Sequence, residues 1–425
     1  MSTRRNAPLL LAILVESMGY GAIFGLLGHL QRDYHLGHIG LALVASSAFP
    51  AALIGQLGLA RFADRGYTRQ LLWAGLATAA LGMIWFLVGS HLWEFVLARA
   101  LVGLGSGTFI PAARRVVIHR SPDNAGEAVA VAGAADIGGF LIGIPVAVGL
   151  KALGENISLP WGIHPVNFPF GVICVLLLIV GPLATLMPEP EPDPRRERQA
   201  LRSVFALPAA RAGLAVGIGF SVAIGTLDAI ASKFILDLGA SDGELVIVMI
   251  SLAVPLVLFM PVAGRLVDRL GPLRAGAGAL FATVPVLLCY GLTTRLWVIA
   301  ILGACQALAN SVVYTAGQAA VANSTARHGV VAAGQGAYEA TAATGGFVCS
   351  LLAPLIYHNP LRRDPVTHLL KHNWGALPMW ATMATFVLIA ALASRYWARQ
   401  APEHDDEPIE EIHARPRPDF TEIGH

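Results

Sequence analysis

Charge is what this sequence has least of. Asp, Glu, Lys and Arg together make up 13% of its 425 residues, against 55% apolar ones, a balance that a water-soluble chain of this length does not carry. Cysteine is scarce too: Cys174, Cys289, Cys305 and Cys349 stand singly in apolar runs, with neither the pairing of a disulfide framework nor the spacing of a zinc site. Charge of one sign is lacking, since the net value is +2, and no segment points to a nucleic-acid partner. No nucleophile-and-base constellation stands out, so no enzyme is expected. His368 and His372 have helical metal-ligand spacing but fall in a predicted loop, so no metal site is expected either.

What the chain has in abundance is long apolar runs. Cutting it wherever charge or turn residues interrupt leaves segments near 7–30, 39–60, 70–90, 94–113, 127–150 and 168–187, then 212–235, 244–264, 274–292, 296–321, 331–357 and 375–396. Each is close to the roughly 20 residues that cross a hydrocarbon core of about 30 Å as a helix. They are numbered spans 1 to 12 below. If both termini are cytoplasmic, all of the 29 basic residues fall on that side except Arg32, Arg99, Lys151, Lys233, Arg295, Arg362, Arg363 and Lys371, as the preference of Arg and Lys for the cytoplasm requires. Span 1 follows Arg4 and Arg5 but is long, contains Glu16 and runs into Gln31-Arg32-Asp33, so it reads as a retained helix and not a cleaved signal. The expected location is a bacterial inner membrane.

A composition break at 188–208, Pro188-Glu189-Pro190-Glu191-Pro192-Asp193-Pro194 and then Arg195, Arg196, Glu197 and Arg198, cannot lie in hydrocarbon. It predicts a cytoplasmic linker between a six-helix unit over 1–187 and another over 209–396. Sliding one half over the other by 204 residues superposes Gly21 on Gly225, Asp33 on Asp237 and Asp64 on Asp268, and a shift of 207 pairs Gly138-Gly139-Phe140 with Gly345-Gly346-Phe347. Weak internal symmetry of this kind is expected of two bundles that rock about a central site. The tail over 397–425, with Asp405, Asp406, Glu407, Glu410 and Glu411 among prolines, is expected to be disordered.

Two loops repeat a pattern. Ala60-Arg61-Phe62-Ala63-Asp64-Arg65-Gly66-Tyr67-Thr68-Arg69 follows span 2, and Gly264-Arg265-Leu266-Val267-Asp268-Arg269-Leu270-Gly271-Pro272-Leu273-Arg274 follows span 8. A carboxylate at a helix end can meet a neighbouring helix N-terminus or an arginine, which makes Asp64, Arg65, Arg69, Asp268 and Arg269 candidates for a cytoplasmic latch. Both loops resemble the signature G-x-L-x-D-R-x-G-R-[KR] of the major facilitator superfamily. Arg99, Gly103 and Gly105 of span 4 are similar to the R-x-x-x-G-x-G element of its proton-coupled members. Gly139 and Gly143 of span 5 resemble the start of the superfamily's antiporter motif G-x-x-x-G-P-x-x-G-G, but Pro145 comes one residue late and Ala147 and Val148 replace the final glycines. The resemblance implies an all-α fold of twelve transmembrane helices in two pseudo-symmetric bundles, working as a monomer. The implied function is a secondary transporter using the proton gradient and no cofactor, most like proton-coupled exporters of small amphipathic or drug-like molecules. The departure in span 5 keeps open a proton-coupled nutrient symporter; a transport-silent sensor is the third reading.

Five charged residues sit inside spans: Glu16, Arg99, Asp136, Asp228 and Glu339. Intramembrane charge is costly and marks function. Each carboxylate could take up and release a proton as its surroundings alternate between wet and dry. The resemblance brings spans 1, 4 and 5 together, so Arg99 is expected to pair with Glu16 and Asp136. Gln306, Asn310 and Tyr314 recur at intervals of four in span 10, a stripe that could line a substrate cavity with Tyr20 and Gln335. Lys233 and Asp237 read as a solvated pair near the outer surface. Gly103, Gly138, Gly139, Gly143, Gly345 and Gly346 are expected to let helices touch closely.

Overall fold

The structure is a computed structural model that describes residues 2–59, 62, 66–119, 125–185, 201–326, 331–359, 361–363, 370–372 and 374–401. Span 1 is the helix Ser2–Asp33. Span 2 is broken into His38–Ser46, Ala48–Leu53 and a π-helical stretch Ile54–Leu59. Spans 3 to 6 are Thr68–Val88, Leu92–His119, Ala125–Asn156 and Phe168–Thr185. Spans 7 to 12 are Pro208–Asp237, Asp242–Leu270, Pro272–Leu292, Leu296–Ala326, Val331–Ile356 and Leu377–Ala398. Among the described residues eleven of these helices are long and apolar enough to cross a membrane, and Phe168–Ala184 is a shorter apolar helix. Large apolar side chains such as Trp73, Leu81, Leu178, Ile179, Ile247 and Leu258 stay exposed on the outside, a surface suited to lipid and not to water.

Local chemistry explains several helix ends. Ser241 caps span 8 in a capping box with Glu244, which satisfies backbone donors at the helix start. Pro208, Pro272 and Pro378 occupy first-turn positions, where a missing N–H costs nothing. Gly271, the glycine of the second repeated loop, has φ +82°, and Gly66, that of the first, has φ +92°. The left-handed backbone at Gly271 lets span 8 end and span 9 begin across one residue, a conformation that side chains disfavour.

Of the expected linker, residues 188–200 lie outside the described ones, while Leu201–Ala206 is a short helix and Pro208 already opens span 7. Of the expected tail, 402–425 lie outside them. The all-helical expectation needs one amendment: Leu361–Arg363 and Leu370–His372 pair as short antiparallel strands between spans 11 and 12.

The two halves repeat one packing scheme. Span 1 packs on 5 and 6 as span 7 packs on 11 and 12, span 4 packs on 2 and 3 as span 10 packs on 8 and 9, and span 3 meets 6 as 9 meets 12. Glycine carries the closest approaches. A Cβ on Gly21 would run into the Phe140 backbone, and at the equivalent position one on Gly225 would lie 2.7 Å from the Gly346 carbonyl oxygen. The halves meet through spans 1 and 7, 2 and 11, and 5 and 8.

Candidate functional site

Since the helices alternate in direction, the bundle has a side that carries both ends of the helical chain, the termini side, and an opposite side. On the opposite side the halves are tied together. The Gly28 N–H donates to Ser232 Oγ at 3.3 Å, and the Ser232 hydroxyl donates to the Gly25 carbonyl at 2.9 Å. A Cβ on Gly28 would sit 2.8 Å from the Lys233 nitrogen. Asp242 of span 8 receives His29 Nε2 at 2.8 Å and Lys151 Nζ at 3.2 Å, from spans 1 and 5. Asp237 binds Lys233 at 2.9 Å and accepts from the Tyr357 hydroxyl at 3.0 Å. The Lys233–Asp237 pair is therefore built into this seam and is not the solvated surface pair its spacing suggests.

Beneath the seam lies the one charge pair that joins the halves inside the bundle among the described residues. Arg99 Nη2 donates to Asp228 Oδ2 at 2.9 Å and Oδ1 at 3.2 Å, and the two side chains are 1% and 5% exposed. The Arg99 guanidinium also stacks on the Tyr20 ring, 4.0 Å from its centroid. A planar, weakly hydrated cation suits such a position better than an ammonium would. Arg99 Nε and Nη1 have no partner. The expected pairing of Arg99 with Glu16 and Asp136 is thus corrected. Its carboxylate partner is Asp228 of span 7, the helix that meets span 1 across the interface, while Asp136 is engaged elsewhere.

That engagement lies towards the termini side. Arg114 Nη2 donates to Asp136 Oδ2 at 3.0 Å, and the Ser17 hydroxyl donates to Asp136 Oδ1 at 2.7 Å. Arg114 and Asp136 keep 33% and 30% of their side chains exposed. Glu339 and Tyr314, from the other half, interact electrostatically with Arg114, and Tyr314 tilts against Phe220 with centroids 5.2 Å apart. Glu16 is 2% exposed; it accepts a long bond from Ser106 at 3.5 Å through Oε2, while Oε1 has no partner.

The span-10 stripe divides by depth. Tyr314 is half-buried, whereas Asn310 and Gln306 are buried, and both amide atoms of Gln306 lack partners at 0% exposure. Gly213 lies against Ala320, Gly217 against Gly317 and Phe220 against Tyr314, a register that puts Gln306 level with Asp228. Along this stripe Tyr314 stays partly exposed in this conformation, while Asn310 and Gln306 are closed off beneath the ties of the opposite side.

The remaining expected site residues scatter. Asp64 and Arg65 lie outside the described residues, as do His368 and the side chain of Gln335; Arg69 is exposed in the first turn of span 3, and Asp268 and Arg269 are exposed in the last turn of span 8. Gly103, Gly139, Gly143 and Gly346 abut Ala48, Leu14, Met18 and Phe49, and Gly345 keeps an ordinary 3.4 Å from Ser221. Gly138 is a correction: nothing lies within 4 Å of a Cβ placed there, because successive helical residues point about 100° apart and Gly139 already takes the face towards span 1. The sequence reading missed Arg114, which it assigned to a loop. Span 4 runs on to His119, and the apolar Val116-Val117-Ile118 that follows Arg114 was the available signal.

Comparison with known proteins agrees with this geometry. The model of the Major Facilitator Superfamily matches residues 9–241 and 209–424. Multidrug resistance protein MdtG of Escherichia fergusonii is 28% identical over 253 residues, covering 54% of this chain and 60% of that protein, and MdtG of Citrobacter koseri is 25% identical over 268 residues, covering 61% and 64%. The chain thus matches about three fifths of the length of these relatives. Among solved structures, a bacterial homolog of the human lysosomal transporter Spinster, inward-facing and unoccupied, superposes with a TM-score of 0.78 at 14% identity over 95% of this chain and 99% of that one. The nucleoside transporter NupG gives 0.67 at 12% identity over 93% and 99%. With two pseudo-symmetric six-helix bundles and a family match over nearly its whole length, the chain belongs to the Major Facilitator Superfamily.

Proposed function

We propose that this chain is a proton-coupled secondary transporter that exports small amphipathic or drug-like molecules across a bacterial inner membrane by alternating access, with both termini cytoplasmic. The observation that carries this reading is the buried Arg99–Asp228 pair, which joins the two halves directly beneath a sealed seam. Breaking a buried pair by separating its members leaves uncompensated charge and costs several kcal/mol. Rocking the halves to open the opposite side would part Arg99 from Asp228, and a proton on Asp228 would remove much of that cost. Proton binding and conformation are then linked, and a gradient can drive the cycle. Glu16, Asp136 and Glu339 are further acceptors along the same path, and the distribution of Lys and Arg sets the cytoplasmic face. Export as the direction, and drug-like molecules as the cargo, follow the MdtG relatives. The chain is a carrier in this reading and not an enzyme, and it needs no partner subunit.

Everted membrane vesicles test it. With the lumen acidified by respiration, a fluorescent drug-like dye should accumulate inside, and a protonophore should release it. Arg99→Gln and Asp228→Asn should each abolish the gradient-driven component. Accumulation that ignores the protonophore would overturn proton coupling, and dye loss from intact cells that is the same with and without the protein would overturn export.

A further inference from the structure

On the opposite side, the contact of span 2 with span 11 carries two histidines, one from each half. His38, the first residue of span 2, lies against His358, two residues beyond the end of span 11, with ring centroids 6.3 Å apart and planes inclined by 38°. His38 Nδ1 meets the Pro354 carbonyl at 3.0 Å, itself a bond between the halves, and His358 Nδ1 meets the Ile356 carbonyl at 2.9 Å. A carbonyl oxygen only accepts, so in both rings Nδ1 carries the proton and the neutral imidazole keeps its lone pair on Nε2. Among the described residues neither Nε2 has a hydrogen-bond partner, and both side chains are exposed to solvent. An Nδ1–H held by a backbone carbonyl is the arrangement that fixes the tautomer and orientation of histidines whose Nε2 binds a metal.

We propose that His38 and His358 together bind a zinc-class divalent cation through their Nε2 atoms, and that the bound ion locks the opposite side shut. At a Zn–N bond of about 2.1 Å the ion lies about 3.2 Å from the centroid of each ring, so two such centroids stand about 5 Å apart in tetrahedral geometry and at most about 6.5 Å. The observed 6.3 Å falls within that limit, and about 1 Å of movement by two exposed rings reaches the tetrahedral value. No group of three or more metal-ligating side chains stands together among the described residues, so water completes the coordination. Imidazole nitrogen selects zinc, nickel or copper over magnesium or calcium, which prefer oxygen. Because one ligand comes from each half, the two-nitrogen site exists only while spans 2 and 11 stay together. The ion therefore stabilises the conformation closed on this side by as much as it prefers that conformation.

The lock rests on the transport reading, but the site is tested by binding alone, with Zn2+ titrated calorimetrically into the purified full-length protein, free of any histidine tag, in detergent. The variants are His38→Asn and His358→Asn, whose amide nitrogen replaces the Nδ1 donor while the metal-binding nitrogen is lost. Each should bind the ion at least about tenfold more weakly, and the double variant should be little worse than either single one, because one ion is shared. Mg2+ should give no binding at this site. Wild-type zinc affinity in either single variant, or losses that add in the double variant, would overturn the proposal. Zinc outside intact cells should then slow dye export by the wild type severalfold and leave His38→Asn unaffected; equal slowing of both would overturn the lock. A protein that binds zinc in this pattern but exports no dye would refute the transport reading and leave the site standing.

Discussion

Arg99 and Gln306 sit at one depth, and their side chains make opposite predictions. Arg99 is paired, and removing only its partner strands a guanidinium. Asp228→Asn should cost about 3–5 kcal/mol, whereas the double variant Asp228→Asn/Arg99→Gln should recover part of that loss, because no charge is then left buried. Thermal unfolding of the purified protein reads both, and a double variant less stable than Asp228→Asn would show that the pair is not what holds these groups. Gln306 carries a buried amide with neither donor nor acceptor satisfied in this conformation. Burying such a group costs about 1–3 kcal/mol, so Gln306→Leu, of similar volume, should stabilise the closed form by an amount in that range. If the amide finds partners once the halves rock apart, the same variant should also slow transport. A destabilised Gln306→Leu protein would mean that the amide is already bonded here.

Helix packing shows how far sequence reaches at the scale of an element. The spans, their repeat and the small residues along them were legible, because hydropathy and glycine spacing are local properties. Which glycine touches which helix was not, since that depends on rotation about the helix axis. Gly138 and Gly139 are neighbours in the chain, yet one faces open space and the other the Leu14 backbone. The partner of Arg99 was hidden for a related reason: Asp228 is 129 residues away in the other half, and the intramembrane charge was visible while its cross-bundle pairing was not. Arg114 sits at a boundary, where a basic residue in the sequence reads as the end of a helix that in fact continues to His119. The rotation argument is testable. Gly21→Ala places a methyl group into the Phe140 backbone and should force spans 1 and 5 apart, lowering folded yield and the unfolding midpoint. Gly138→Ala meets nothing and should be neutral or stabilising by up to about 1 kcal/mol, the helix-propensity gain over glycine. Comparable losses at both positions would contradict the packing of spans 1 and 5 described above.

At the scale of the bundle, the polar ties between the halves among the described residues concentrate on the opposite side, from Gly28–Ser232 and His29–Asp242 down to Arg99–Asp228. Towards the termini side Arg114 pairs within its own half and interacts with Glu339 of the other half only electrostatically. This asymmetry describes one end of a cycle, and a rigid rocking motion requires the other end to invert it. Single cysteines in a background without the four native thiols would follow that inversion. In the conformation described here a cysteine at Tyr314 should react with a small hydrophilic thiol reagent supplied from the termini side, and one at Ser232, buried with its hydroxyl on Gly25, should not. Parting Arg99 from Asp228 with Asp228→Asn should move both reactivities in opposite directions: position 232 becomes reactive from the opposite side as position 314 becomes protected. Because the two sites lie on different helices and on opposite sides of the buried pair, local loosening would raise reactivity at one or both without protecting either. Protection at 314 that rises in step with exposure at 232 is therefore the signature of alternating access. An increase at both positions would mean that the Arg99–Asp228 pair holds the bundle together and does not control which side is open.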